Sequence, residues 1–296
     1  MRQLILKWLI TAALLSGPLI AAAEENITRL QERAKQGDAE AQYKLGLALN
    51  HGDGVPKDMN DAAMWLGKAA EQGNAEAQFA LGLAYHNGEG VPQSDTVAAN
   101  WWAKASEQGN AEAQYSLGLL YHAGEGVSKN DTDAVKWWSK AAAKGYVDAQ
   151  YNLGIAYYEG NGVPHDAAEG VKWWSKAAEQ GCTEAEFNLG VAYREGNGVS
   201  QDYAEAANWF RKAAEKGLAS AQYNLGMAYA YGAGVPKDAV EAHIWWDIAA
   251  AAGHKNAREI LSLIERQMTA KQIKIATERA TERAKALLAK AAAEKN

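Results

Sequence analysis

The chain repeats itself every 36 residues. Gly37, Gly73, Gly109, Gly145, Gly181, Gly217 and Gly253 stand 36 positions apart. Between them a Leu-Gly pair (Leu45-Gly46 to Leu225-Gly226), a tryptophan (Trp65 to Trp245) and a G-x-G-V turn (Gly52 to Gly232) recur in six copies without an insertion or deletion. A period of this length marks units that cannot bury an apolar face alone and must stack on their neighbours.

Within a copy the spacing is helical. Gln42, Leu45, Gly46 and Leu49 fall at i, i+3, i+4 and i+7, the stripe a helix buries. Ala62, Trp65 and Ala69 mark a second helix. The expected fold is all-α: a right-handed α-solenoid of six 36-residue helix-pair repeats over 38–253 with helical caps. A lone second helix over 24–37 would close one end, and helices within 254–296 the other. There Ile260, Leu263 and Ile264 are expected to bury, with the final helix starting after Met268.

The stretch YHNGEGVPQSD, Tyr85 to Asp95, has two glycines one residue apart, as phosphate-binding loops do. Such a loop joins a strand to a helix, whereas this turn follows a helix. Gly88 suits the left-handed residue that ends a helix, Gly90 a second unusual backbone angle, and Pro92 stops continuation. Asp58, Ser94, Asn130, Asp166, Asp202 and Asp238 are capping residues, and all but Ser94 precede by three an acid that suits the helix dipole. The residue between the glycines drifts through Asp53, Glu89, Glu125, Asn161, Asn197 and Ala233, so it does not read as a catalytic carboxylate. The turn is structural. A glycine inside a helix costs about 1 kcal/mol relative to alanine, so the recurring Gly46 position points to close approach of the second helix. The tryptophans read as packing residues that fill the gap facing those glycines.

Arg2 and Lys7 flank the start of an apolar stretch, Trp8 to Ile20, that ends in Ala21-Ala22-Ala23. This is the pattern of a cleavable secretory signal over 1–23, cut after Ala23. The run is short of the ~20 residues that span a bilayer, so no stable membrane insertion is expected after cleavage. The expected location is periplasmic or secreted. The single cysteine, Cys182, has no internal disulfide partner; its turn is expected to be exposed, which leaves a disulfide between chains open. Residues 24–253 hold 18 basic and 31 acidic residues, a net of −13, and 254–296 ten and five, a net of +5. An acidic body argues against nucleic acid and favours basic partners.

The pattern A-x-x-Q-Y-x-L-G-x-x-Y-x-x-G-x-G-V, followed by A-x-x-W-W-x-K-A-A-x-x-G, resembles the Sel-one-like repeat, a 36-residue relative of the tetratricopeptide repeat. The resemblance implies a protein–protein interaction scaffold with a concave binding face and no enzymatic activity. It leaves open an envelope adaptor, an immunity protein that neutralises a phospholipase-type effector, and a secreted host-interaction factor. Cell-wall or β-lactam hydrolysis is attributed to relatives with a disulfide in each repeat, a feature this chain lacks.

On related repeats, positions equivalent to Tyr43, Leu47, Asn50 and His51 line the concave groove. Across the copies this gives an aromatic ladder, Tyr43, Phe79, Tyr115, Tyr151, Phe187 and Tyr223, beside an acidic edge. The alternative is that the ladder is half-buried packing between repeats. Positions that differ between copies are freer of packing constraints: His86, His122, Tyr158, Arg194, Glu195 and Tyr231. The expected partner is a protein, with a basic segment favoured. No metal or cofactor is expected, because His86 and His122 would sit on neighbouring helices roughly 8–10 Å apart, too far for a shared zinc ligand shell. Asn152, Asn188 and Asn224 would form a hydrogen-bonded ladder at the edge of the stack. The oligomeric state is open.

Overall fold

The computed structural model describes residues 27–293. The signal segment expected over 1–23 lies outside the described residues. Two compact units divide at Lys144 and Gly145. Among the described residues all regular structure is helical, and the class is the all-α solenoid of stacked helix pairs.

The first unit opens with α1 over 27–35 and continues with three pairs. These are α2 (Ala39–His51) with α3 (Met59–Glu71), α4 (Ala75–Asn87) with α5 (Asp95–Glu107), and α6 (Ala111–Ala123) with α7 (Asp131–Ala143). The second unit holds α8 (Val147–Glu159) with α9 (Ala167–Glu179), α10 (Thr183–Glu195) with α11 (Tyr203–Glu215), and α12 (Ala219–Tyr231) with α13 (Ala239–Ala251). It closes with α14 (Lys255–Glu265) and α15 (Ala270–Ala293).

The capping residues do what their chemistry allows. Asp58, Ser94, Asn130, Asp166, Asp202 and Asp238 each begin a second helix and accept from backbone N–H groups of its first turn. Each first helix ends on a left-handed glycine, and in the turn after α4 Gly88 has φ 73° and Gly90 φ 70°. A side chain at Gly90 would meet the Met59 carbonyl of the preceding repeat, so this glycine also lets the repeats stack closely.

The second helix does approach the helical glycine, but through a different residue from the one expected. A Cβ on Gly82 would stand 2.3 Å from Trp102 Nε1. The seats on Gly118, Gly154 and Gly226 are filled by Trp138, Trp174 and Trp246, and those on Gly46 and Gly190 by Leu66 and Phe210. The core aromatic is therefore the second of each W-W pair. The tryptophans read as gap-fillers, Trp65, Trp101, Trp137, Trp173 and Trp209, are half-buried. Each lies under a lysine three residues on, as Lys104 Nζ lies 3.9 Å from the Trp101 ring centre. The sixth copy has Ile248 there, and Arg283 of α15 takes the cation's place over Trp245 at 4.8 Å.

The buried glutamines tie one pair to the next. Gln42 Nε2 donates to the Ala34 carbonyl at the end of α1 at 3.0 Å, just as Gln78 donates to Ala70 at 3.1 Å. By this bond α1 takes the place of a second-type helix before α2.

At the other end α14 takes the place of a seventh first helix, but no G-x-G-V turn follows it. Instead Met268 is buried and α15 packs on α13, with Ala276 and Ala280 buried in the shared core. Arg279 and Arg283 both donate to the Glu241 carboxylate, so this part of the basic tail is docked on its own chain. Ile260 and Ile264 are half-buried as expected, but Leu263 is 54% exposed. Among the described residues no paired second helix folds back to cover it.

Candidate functional site

The interhelical face of the first helices carries the expected site residues, and one seat organises them. In four successive repeats the residue at the seat lies against the core ring of its own second helix. In the first unit His86 lies 5.5 Å from Trp102 and His122 5.5 Å from Trp138, centre to centre. In the second unit Tyr158 lies 4.8 Å from Trp174, and the Arg194 guanidinium 5.9 Å from the Phe210 ring. The floor is an aromatic ring in all four and the seat varies in chemistry.

In the first unit the seats are tied down. His86 Nδ1 meets Asp95 Oδ1 at 2.6 Å, and His122 Nδ1 meets Asp131 Oδ1 at 2.6 Å. Nδ1 is then the donor in the neutral ring, which leaves Nε2 as an acceptor. Tyr115 is half-buried on α6. Among the described residues no three His, Cys, Asp or Glu side chains converge to hold a metal ion. The Tyr43 phenol is pushed above its usual pKa, first by burial and then by Glu76, Glu40 and Glu112.

The second unit has open clefts at this face. One, of about 290 Å³, has Trp174 as its ring and Tyr151, Tyr158, Asn188 and Val191 around it. The equivalent cleft one repeat on, of about 250 Å³, has Phe210 as its ring, with Arg194, Asn224 and Met227 at the matching positions. Tyr203, Tyr223 and Tyr231 complete it. Tyr231 is 72% exposed and Tyr203 47%.

Hydrogen bonds link the repeats along this strip. The Tyr151 hydroxyl bonds Asn188; burial raises its pKa, and the Glu184 and Glu159 carboxylates raise it further. Arg194 donates to Asn224 Oδ1 at 2.5 Å and to Glu195 at 2.8 Å, so Glu195 holds the guanidinium over its ring. The ladder aromatics are half-buried rather than freely exposed: Phe187 packs on Phe210 at 5.8 Å, and Tyr223 stacks on His254 at 4.5 Å. Of the expected site residues, Tyr151, Tyr158, Arg194, Tyr223 and Tyr231 line the two clefts, while His86, Tyr115 and His122 belong to the first unit.

Met227 falls at the expected groove position of Leu47, but sequence reading missed Tyr203 and the ring floor. A signal was present: position 86 and the position nine residues on change together. Asp95 and Asp131 follow His86 and His122, whereas Ala167 and Tyr203 follow Tyr158 and Arg194. Cys182 is also less open than expected. It is half-buried at the start of α10, and burial pushes its thiol pKa up, which disfavours the reactive thiolate.

Helix pairs stacked through glutamine and glycine contacts, with variable side chains seated on an aromatic ring in four of the repeats, define a helical repeat scaffold. Residues 39–254 match the Sel1 repeat in six consecutive copies, and the chain belongs to the Sel1 repeat family. The match indicates no catalytic family. Among solved structures, c5321, a protective antigen of uropathogenic Escherichia coli strains with an SLR fold, is 37% identical at a TM-score of 0.80. The alignment covers 87% of this chain but only 56% of that one. A Sel1 repeat protein from Oxalobacter formigenes is 40% identical at a TM-score of 0.68, over 79% of this chain and 68% of its own. The immunity protein Pa5087 from Pseudomonas aeruginosa is 23% identical at a TM-score of 0.41, over 73% of this chain and 83% of its own. That likeness carries no functional argument. No curated protein matches the chain.

Proposed function

We propose that the chain is a non-enzymatic scaffold that binds another protein through the first-helix strip of its second unit, and that it works in the periplasm or outside the cell. One observation carries the binding reading: two equivalent clefts in consecutive repeats, one of them rimmed by the exposed Tyr203 and Tyr231. Exposed aromatics beside a formed cleft are the side chains that most often supply binding energy at interfaces. The location rests on the N-terminal sequence pattern, basic at Arg2 and Lys7 and then apolar to Ile20. It also suits the relative described as a protective antigen.

The test is a crosslinking pull-down from the periplasmic fraction, comparing the wild type with Tyr158→Ala/Tyr231→Ala at matched helicity by circular dichroism. A protein captured by the wild type and lost from the variant supports the reading. The same protein retained by the variant removes the strip as the docking face, and localisation of the chain to the cytoplasm overturns the export proposal.

A further inference from the structure

The glutamine joint between repeats is incomplete at the last pair. In three copies the buried glutamine of a first helix accepts from a glutamine 30 residues on: Gln42 from Gln72, Gln78 from Gln108 and Gln150 from Gln180, at 2.7–2.8 Å. In the sixth copy the acceptor is Gln222, and the position 30 residues on is Ala252, which has no side-chain donor. Gln222 Nε2 still donates to the Ala214 carbonyl at 3.1 Å, as Gln78 does to Ala70, so its amide keeps the orientation of the complete joints. Its Oε1 is left buried without a partner, and the residue is 2% exposed. A buried acceptor in that state costs stability, and a donor brought to it recovers the loss.

The missing side chain leaves space. Gln222 and Ala252 line an open cleft of about 340 Å³. Ile248 and Ala251 extend its α13 wall, and Ala284, Leu287 and Leu288 of α15 form the other. Glu215 and Lys216 also line it, but Lys216 is committed elsewhere, its Nζ donating to the Gly181 carbonyl and to Glu186. Apolar walls around one unpaired polar group are the composition of a small binding site.

The other copies show which donor fits. Three of the glutamine acceptors are met by carboxamides. Lys144 stands in the same register to Gln114, yet its Nζ donates to the Gly109 carbonyl and Gln114 Oε1 stays unpaired. A lysine fills this position only at Glu186, where the acceptor is a carboxylate. A glutamine acceptor in this joint is thus matched by a neutral carboxamide on a short aliphatic stem and not by an ammonium. Glu215 on the lining disfavours an anion.

We propose that the cleft between α13 and α15 takes a glutamine side chain of another protein, its carboxamide N–H donating to Gln222 Oε1 and its apolar neighbours lying on Leu287 and Leu288. The contact would make between two proteins the joint that Gln72, Gln108 and Gln180 make within one. The cleft shares no lining residue with the two clefts of the first-helix strip, and the inference does not depend on docking there.

The test is an NMR titration of the isotope-labelled full chain with the capped peptide Ala-Leu-Gln-Leu-Ala, against peptides with methionine, glutamate or lysine in place of the glutamine. The glutamine peptide should shift the Gln222 side-chain amide and bind about fivefold tighter than each of the others, the worth of one neutral hydrogen bond. Ala252→Gln supplies the donor from the chain itself. It should slow amide exchange of α12 and α13 about fivefold and abolish the peptide shifts. Leu288 is 72% exposed, so Leu288→Ser leaves the fold intact and should weaken the glutamine peptide about threefold. No shift at about 10 mM peptide overturns the proposal, as does equal binding of the methionine or lysine peptide. It also fails if Ala252→Gln does not slow exchange or leaves the peptide shifts in place. Dimerisation of the free chain in sedimentation that Leu288→Ser abolishes makes the occupant a second copy and overturns it too.

Discussion

The contact between Glu186 and Lys216 offers a direct test of how the repeats are held together. At the equivalent position of other copies a buried glutamine accepts from a second glutamine 30 residues on: Gln72 to Gln42 at 2.7 Å, Gln108 to Gln78 at 2.8 Å and Gln180 to Gln150 at 2.8 Å. In the fifth copy both members change. Lys216 Nζ donates to Glu186 Oε1 at 2.8 Å, with side-chain exposures of 33% and 5%. The other carboxylate oxygen, Oε2, is buried without a partner, because a carboxylate cannot donate to a helix-end carbonyl as Gln78 does to Ala70. Removing one member of a buried ion pair costs ~3–5 kcal/mol. Since Lys216 is one-third exposed and water can reach the site, Lys216→Ala should cost about 2 kcal/mol. Glu186→Gln keeps an acceptor for Lys216 and gains a donor for the orphaned position, so it should stabilise by about 0.5–1.5 kcal/mol. Glu186→Gln/Lys216→Gln recreates the glutamine pair and should be at least as stable as wild type. Repeat arrays need not unfold in one step, so the assay is amide hydrogen exchange of α10 and α11, with α2 and α3 as an internal reference. A cost below about 0.5 kcal/mol for Lys216→Ala, or a double variant weaker than Lys216→Ala, would refute the pairing argument.

Three further outcomes follow from the packing and the charges. Gly154→Ala would put a methyl 2.3 Å from Trp174 Cδ1, so it should lower stability by about 2 kcal/mol despite the gain in helix propensity. Gly67→Ala has room, its nearest neighbour being Leu81 Cδ2 at 4.0 Å, and should stabilise by about 0.5–1 kcal/mol; chemical denaturation of both reads the contrast. The Asp38 carboxyl is held below its usual 3.8 by the Ala41 N–H and then by Arg33. A depressed folded value means that its stabilisation is complete above about pH 3.8 and is lost as pH falls through the lower value. Amide exchange of α1 and α2 should therefore separate wild type from Asp38→Asn near neutrality and show them converging in acid. Cys182, half-buried with a raised thiol pKa, should be alkylated more slowly in the native chain than in urea at the same pH; equal rates would show that its turn is open.

The helix pairs, their caps and the turn were legible in the sequence because each is fixed by local chemistry repeated six times. A left-handed glycine, a capping carboxylate and an apolar stripe act within a few residues of one another. What was not legible depends on contacts between segments. Trp101 and Trp102 are adjacent and chemically identical, so composition could not say which faces Gly82; the helix rotation decides it, and the half-buried ring is left to the lysine. Leu263 has the periodicity of a buried residue, but its exposure follows from α15 turning onto α13 after a connection that lacks the glycine turn. The pairing of Arg279 and Arg283 with Glu241, some 40 residues away, is likewise a contact between segments that no local pattern announces.

The repeats also contain a record of contacts that single positions hide. Thirty residues apart, Glu186 faces Lys216, and nine apart His86 stands with Asp95 and His122 with Asp131. In each case the structure places the two side chains within hydrogen-bonding distance. The first pair lies in the buried joint between repeats, where Glu186 leaves Oε2 unpaired even with its lysine and an unpaired buried group costs stability. The second lies on the strip. There the floor holds an aromatic ring in all four copies, while the seat carries histidine, histidine, tyrosine and arginine. Packing accounts for the floor but not for the choice at the seat, since side chains of different charge rest on the same ring. The histidine seats are closed off by aspartates at the start of the next helix. In the second unit Ala167 and Tyr203 stand at that position and clefts lie beside Tyr158 and Arg194, so a partner docking there, as proposed, would be selected by residues that the repeat itself does not prescribe.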